Sequence, residues 1–283
     1  MSTDRLPTYF VSHGGGPWPW IMDQLPGDWT KLHASLRAIP REIGVTPRAV
    51  LVVSGHWEEA EFTVQTHPNP PMYYDYGGFP EFTYHIQYPA PGAPDVAARV
   101  GQLLDDAGIS VRYDGARGFD HGVFAPLYVS YPDADVPILQ LSLKHGYDAA
   151  AHLAAGRALA PLRDEGVLIV GSGFSFHNMR LMGPAGSAPS REFGEWLDTT
   201  LVDSSPEERT ERLLHWEEAP SARVSHPAED HLVPLMVAVG AAEDEAAVRT
   251  YHEDDFMGGL SSSSFRFGPA RVELGADLVA TAT

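Results

Sequence analysis

Ten residues constrain this chain more than any others: Ala49-Val50-Leu51-Val52-Val53-Ser54-Gly55-His56-Trp57-Glu58. The unbroken apolar run, with β-branched Val50, Val52 and Val53, favours an extended chain. It shows no polar alternation, so both faces must be covered, as in a parallel or mixed sheet flanked by helices. The run stops at Ser-Gly-His, where Gly55 permits a turn and His56 is expected at the strand's carboxyl end. In open α/β sheets that edge is where ligands bind. Two other stretches repeat the arrangement: Thr8 to Ser12 ends in His13-Gly14-Gly15-Gly16, and Gly166 to Gly173 leads through Phe174-Ser175-Phe176 to His177. Three strands that each deliver a histidine to such a boundary predict one shared site.

Between these strands, helical spacing predicts helices over 28–37, 94–107, 148–164 and 190–215. A further apolar helix, Leu232 to Ala241, is expected to open at His226-Pro227, since proline suits a first helical turn. Shorter strands are expected at 61–67, 110–113, 136–143 and 261–267. Alternating β and α elements indicate an α/β protein, a three-layer α/β/α sandwich around a central mixed sheet, and one catalytic domain over residues 1–283. Residues 68–94 hold seven prolines and a dense aromatic set that includes Tyr73, Tyr74, Tyr76, Phe79, Phe82 and Tyr84. This is a long ordered loop, either roofing a pocket for a planar substrate or packing onto the body.

Composition removes several function classes. The net charge of -19 offers no basic surface to nucleic acid or an anionic membrane. The chain lacks cysteine, so disulfides and thiolate ligands are out, and any metal must be held by His, Asp or Glu. No run approaches a membrane span, and the apolar segment near Met1 is too short for a signal peptide. A cytoplasmic protein is expected; no motif speaks to oligomeric state.

Of thirteen histidines, His13, His56, His121, His177, His226 and His231 fall at strand ends, glycine-containing turns or a helix start. Each alone suits a structural role, but together they suggest a site for a divalent transition metal, whose usual protein ligand is neutral imidazole. The other histidines read mostly as surface residues, with His145 a candidate strand-end exception. No GxSxG elbow occurs, and Ser12, Ser54 and Ser172 read as turn residues. Asp120 either orients a neighbouring ring or caps the helix after it.

In order, Ser12-His13-Gly14, Val53-Ser54-Gly55-His56-Trp57, Gly77-Gly78-Phe79-Pro80, Tyr88-Pro89-Ala90-Pro91-Gly92, Asp120-His121-Gly122, Tyr131 to Pro137, Ser172-Gly173 to His177-Asn178, and Glu229-Asp230-His231 resemble the 4,5-DOPA dioxygenase extradiol family. That family belongs to the class III, LigB-type ring-cleaving dioxygenases, and the likeness spans residues 8–241. The resemblance implies that His13 and His56 are metal ligands and that His231 is a further metal-site residue, with Glu229 its neighbouring competitor. His177 matches a histidine that is a metal-site residue in some members and the acid–base group in others. His121 matches one behind the ligands or facing the substrate, and His226 is expected to stay off the metal. The chain departs from the family at Gly14-Gly15-Gly16-Pro17 and at Phe174-Ser175-Phe176, both placed near the pocket.

The leading expectation is a non-haem Fe(II) extradiol dioxygenase acting on a catechol and O2. Iron would supply the one-electron chemistry, and a histidine near neutral pKa would move the catechol proton. Zn(II) would suit the same ligands but has no redox chemistry. A zinc hydrolase using metal-bound water, or a non-catalytic metal-binding module on the same fold, are the alternatives.

Overall fold

The computed structural model describes residues 5–272. Eight strands form one sheet in the order β4-β3-β5-β2-β6-β1-β8-β7. They are β1 (Thr8–Ser12), β2 (Ala49–Glu59), β3 (Phe62–Gln65), β4 (Val111–Asp114), β5 (Ile138–Lys144), β6 (Val167–Gly173), β7 (Ala247–Phe256) and β8 (Leu260–Phe267). Strands β5, β2, β6 and β1 run parallel, while β3 meets β5, and β8 meets β1 and β7, antiparallel. The sheet is therefore mixed.

Its two faces carry separate cores, and the central strands feed both by alternation. Ala49, Leu51 and Val53 join one cluster with Val167 and Ile169, whereas Val50 and Val52 join the other with Leu168 and Val170. The first face is covered by α2 (Pro94–Asp106), α4 (Ala149–Leu159) and α8 (Val233–Gly240); the second by α1 (Thr30–Ile43) and α3 (His121–Ser130). The uninterrupted apolar run thus has its cause: every second side chain faces a different helical layer. Each such fully buried Val or Leu contributes about 1.5–3 kcal/mol. The remaining helices are α5 (Ser187–Asp198), α6 (Pro206–Leu214) and the single turn α7 (Ala222–Ser225), with a π-helical link at Thr199–Asp203 between α5 and α6. No helix among the described residues is long and apolar enough to cross a membrane.

Helix α1 runs past the expected end, through Pro40, and α3 contains Pro126. A proline inside a helix leaves the carbonyl four residues earlier without its donor. Both carbonyls are satisfied by serine hydroxyls: Ser130 donates to Leu36 O at 3.0 Å, and Ser172 donates to Gly122 O. Ser172 is therefore a strand residue that ties β6 to α3, not a turn residue. Ser12 and Ser54 also lie in strands; Ser12 Oγ meets Ser262 Oγ at 2.8 Å, and Ser54 donates to Asp120.

Two expected boundaries move. β2 does not stop before His56; its pairing with β6 ends at Ser54, and its register with β5 shifts between Val53 and Glu58. His56 sits in that irregular stretch, where a bulge re-aims a side chain. The last helix opens at Val233, with Pro234 in its first turn, not at Pro227. Residues 227–232 form a turn because they dock on the end of β6, where Phe174 N donates to His231 O at 2.9 Å. Gly173 permits this approach: a Cβ there would lie 2.1 Å from His231 O.

Candidate metal centre

The three central strands place their carboxyl ends side by side, with Ser12 opposite Gly173 and Ser54 opposite Ser172. His13 follows β1 directly, His56 projects from the bulge of β2, and His177 lies four residues beyond β6. The turn docked on Gly173 delivers His231, and the first residue of α3 delivers His121. The five imidazoles converge. Ring centroids of His13 lie 4.9 Å from His56, 5.2 Å from His121 and 5.2 Å from His231, and those of His56 and His121 are 4.0 Å apart. The structure arranges them as two groups whose donor atoms lie within 4.8 Å of one another: His13, His56 and His121, and His177, Asp230 and His231. The groups touch where His56 Nε2 and His231 Nε2 stand 3.2 Å apart.

Two carboxylates fix the rings from behind. Asp230 Oδ2 accepts from His231 Nδ1 at 2.9 Å, and Asp75 Oδ1 accepts from His121 Nδ1 at 2.8 Å. The second oxygen of Asp75 lies 3.2 Å from His56 Nδ1. Burial alone would raise both carboxyl pKa values. The imidazoles of His177 and His231 outweigh it at Asp230, and His121 does so at Asp75, so both are held below the usual carboxylate range and stay ionised. An ionised carboxylate only accepts, so the Nδ1 atoms of His231 and His121 carry the protons and His231 turns its Nε2 inward; Asp75 Oδ2 faces His56 Nδ1 without a hydrogen bond.

The rings of His13, His56 and His231 are also neutral. Burial pushes His13 and His56 well below 6.5 and His231 down to about 4. The Nε2 atoms of His56 and His231 meet at 3.2 Å, while both nitrogens of His13 are buried with no hydrogen-bond partner. Orphaned buried polar atoms are costly. A divalent cation held among these imidazoles would give the orphaned nitrogens a partner. The donor set is all imidazole backed by carboxylates, the usual support of a histidine metal site. The residues fit a metal ion.

His177 stacks on His231, centroids 3.4 Å apart and planes 20° from parallel, with Nδ1 3.8 Å from Asp230. Glu229 does not compete with His231; both its oxygens face Arg223. His226 stays outside the cluster, sealed between Phe193 and Trp216 with Nε2 3.1 Å from Ser175 O. Asp120 neither orients a ring nor caps its helix; it accepts from Ser54 and pairs with Arg117 at 2.9 Å. His145 is exposed, but His152 is not the surface residue expected from sequence: it is fully buried against Phe62. Asp75 and Asp230 were missed. Asp230 adjoins the candidate ligand His231, a signal that could have found it, whereas Asp75 sits in the aromatic loop with no local signal.

The histidines form the floor of a cleft of about 520 Å³. Gly14 to Gly16, Phe174 and Phe176, the stretches that depart from the family pattern, all line it. The aromatic loop is divided. Tyr76 and Phe79 reach the cleft, Tyr88 packs inward with its hydroxyl on Leu127 O and Tyr131 O, and Tyr73 and Phe82 are exposed.

Comparison with known proteins agrees with this architecture. The family described as "Catalytic LigB subunit of aromatic ring-opening dioxygenase" matches residues 8–267. The dioxygenase tasH of Hapsidospora irregularis is 39% identical, over 94% of this chain and 87% of its own length. The 4,5-DOPA dioxygenase extradiol of Beta vulgaris is 39% identical over 92% and 96%, and that of Escherichia coli K12 is 37% identical over 95% and 97%. The crystal structure of an uncharacterized protein from Escherichia coli K12 superposes with a TM-score of 0.73 at 31% identity, over 93% of this chain and all of that one. The chain belongs to the LigB family of aromatic ring-opening dioxygenases.

Proposed function

We propose that this chain is a metal-dependent extradiol dioxygenase that opens a catechol ring beside its diol, with residues 1–283 acting as one catalytic unit. The observation that carries the reading is the buried ring of His13, unpartnered at both nitrogens, beside the Nε2 atoms of His56 and His231 that stand 3.2 Å apart. In this reading His13, His56 and His231 hold the ion, and Fe(II) is the metal that serves the reaction. When bound, the iron supplies the redox chemistry that lets O2 react with the aromatic ring.

The chain's own residues do the rest. Asp230 keeps the Nδ1 proton of His231 in place, so its inward nitrogen stays available as a ligand, and Asp75 holds the ring of His121. His177 is the proton-transfer group: its ring lies nearly parallel to that of His231 at stacking distance, so the two do not converge on one ion. An imidazole at the cleft floor can take a catechol proton and return it to the opened product. His121, with Nδ1 held by Asp75, turns Nε2 towards a bound diol and orients it. Phe174, 4.7 Å from His13, helps keep water from the floor.

The test is oxygen consumption by protein loaded anaerobically with Fe(II), on adding a catechol panel. A coloured ring-opened semialdehyde is expected. Oxidation to a quinone, or no uptake across the panel, would overturn the reading. Zn(II)-loaded protein should be inactive, since zinc fits the donors without redox chemistry.

A further inference from the structure

The walls of the cleft say which catechol it takes. Beyond the histidine floor the lining includes Met179, Met182, Met257, Phe176, Phe256 and Leu260, drawn from the loop before α5 and the β7–β8 hairpin. Among the described residues no Lys or Arg lines the cleft, and residues 1–4 and 273–283 contain neither. The nearest cation in sequence, Arg180, is exposed beside Met179 and is not part of the wall. Lys31 and Arg117 are committed to Glu253 and Asp120 at 2.7 and 2.9 Å. The ionised groups nearest the floor are Asp75 and Asp230, on a chain of net charge -19.

We infer that the site prefers an uncharged catechol carrying an apolar substituent over one carrying a carboxylate or an ammonium group. The inference rests on the catechol reading above and goes beyond it to the substrate class. A carboxylate brought against this wall loses water and gains no cation, and it also faces acidic groups near the floor. An ammonium group has no carboxylate on the outer wall to meet it. An alkyl or aryl substituent instead trades water for methionine and aromatic surface, and unbranched thioethers adapt to varied shapes. The volume suits it: about 520 Å³ is far more than a bare catechol ring requires and lies within the range of ordinary ligand pockets.

Two measurements test this. Anaerobic calorimetric titration ranks 4-phenylcatechol and 4-tert-butylcatechol against protocatechuate, DOPA and dopamine, and oxygen uptake gives kcat/KM for the same panel. The apolar catechols should bind and react about 10–100-fold better than the charged ones. Met179→Arg, at a position 70% exposed and so tolerant of the change, should raise protocatechuate relative to 4-phenylcatechol about tenfold, with Met182→Arg as the second variant. Arg180→Ala should leave the ratio unchanged. Equal or better binding of protocatechuate, DOPA or dopamine, or a ratio that depends on Arg180, would overturn the preference. Absence of turnover with every catechol would instead break the dioxygenase reading, and the titration would still rank the ligands.

Discussion

The floor and the wall of the cleft are built in opposite ways. The floor is made by the sheet: β1 and β6 end side by side where the pairing of β2 with β6 stops, Gly173 lets the His231 turn dock on β6, and Asp75 and Asp230 hold His121 and His231 from behind. The wall is made by loops, with flexible methionines as its main surface and Met179 largely exposed. A site that must place nitrogens around one ion needs rigid elements, because small displacements are costly there. A surface that selects among substituents can sit on loops, which tolerate change. Substitutions in the two regions should therefore fail differently.

The largest contrast is expected from His13→Ala and His56→Ala beside Met179→Ala. The histidine variants should lose their metal and essentially all activity while unfolding within a few degrees of the parent, whereas Met179→Ala should keep full metal and change only substrate preference. Metal analysis and thermal unfolding of the three proteins check this, and full occupancy in either histidine variant would break the contrast.

Within the floor, His177→Gln should keep the iron yet turn over about 10²–10⁴-fold more slowly. A fall in iron content to match would make His177 a ligand. Asp230→Asn removes the anchor of His231 Nδ1 and should weaken metal binding by about 10–100-fold, read by competition with a chelator. Affinity equal to the parent's would mean that docking on β6 alone orients the ring.

The smallest effect concerns a buried histidine away from the floor. Burial lowers His152 to about 4, and its neutral ring accepts from Lys144 N at 3.2 Å. Its folded pKa lies below the ordinary 6.5, so the unfolded chain binds the extra proton first. The stability it confers is complete above pH 6.5 and is lost as pH falls towards 4, a change of about 2–3 kcal/mol. Denaturant unfolding at pH 7 and pH 4 should show this loss in the parent and a shallower slope in His152→Leu.

The sheet was legible because both-face burial leaves unbroken apolar runs, and Val50 to Val53 meet two helical layers as that pattern requires. The convergence of histidines was legible because each followed such a run or sat at a glycine turn. What escaped was set by tertiary contacts. α1 continues through Pro40 only because Ser130, far along the chain, takes the Leu36 carbonyl. His152 is buried because α4 lays it against Phe62, which its alanine-rich surroundings do not announce. Asp75 becomes an anchor only when the aromatic loop folds over α3, bringing it to a histidine forty-six residues away. That Glu229 turns away from His231 depends on Arg223, whose position no local pattern reveals.

That His13, His56 and His231 share one ion is tested most directly by anomalous diffraction at the iron edge from crystals grown anaerobically with Fe(II). A single peak bonded to those three imidazoles, with His121 and His177 off the metal, is the predicted result. A peak held by His13, His56 and His121 without His231, or no peak at the floor of the cleft, would contradict it.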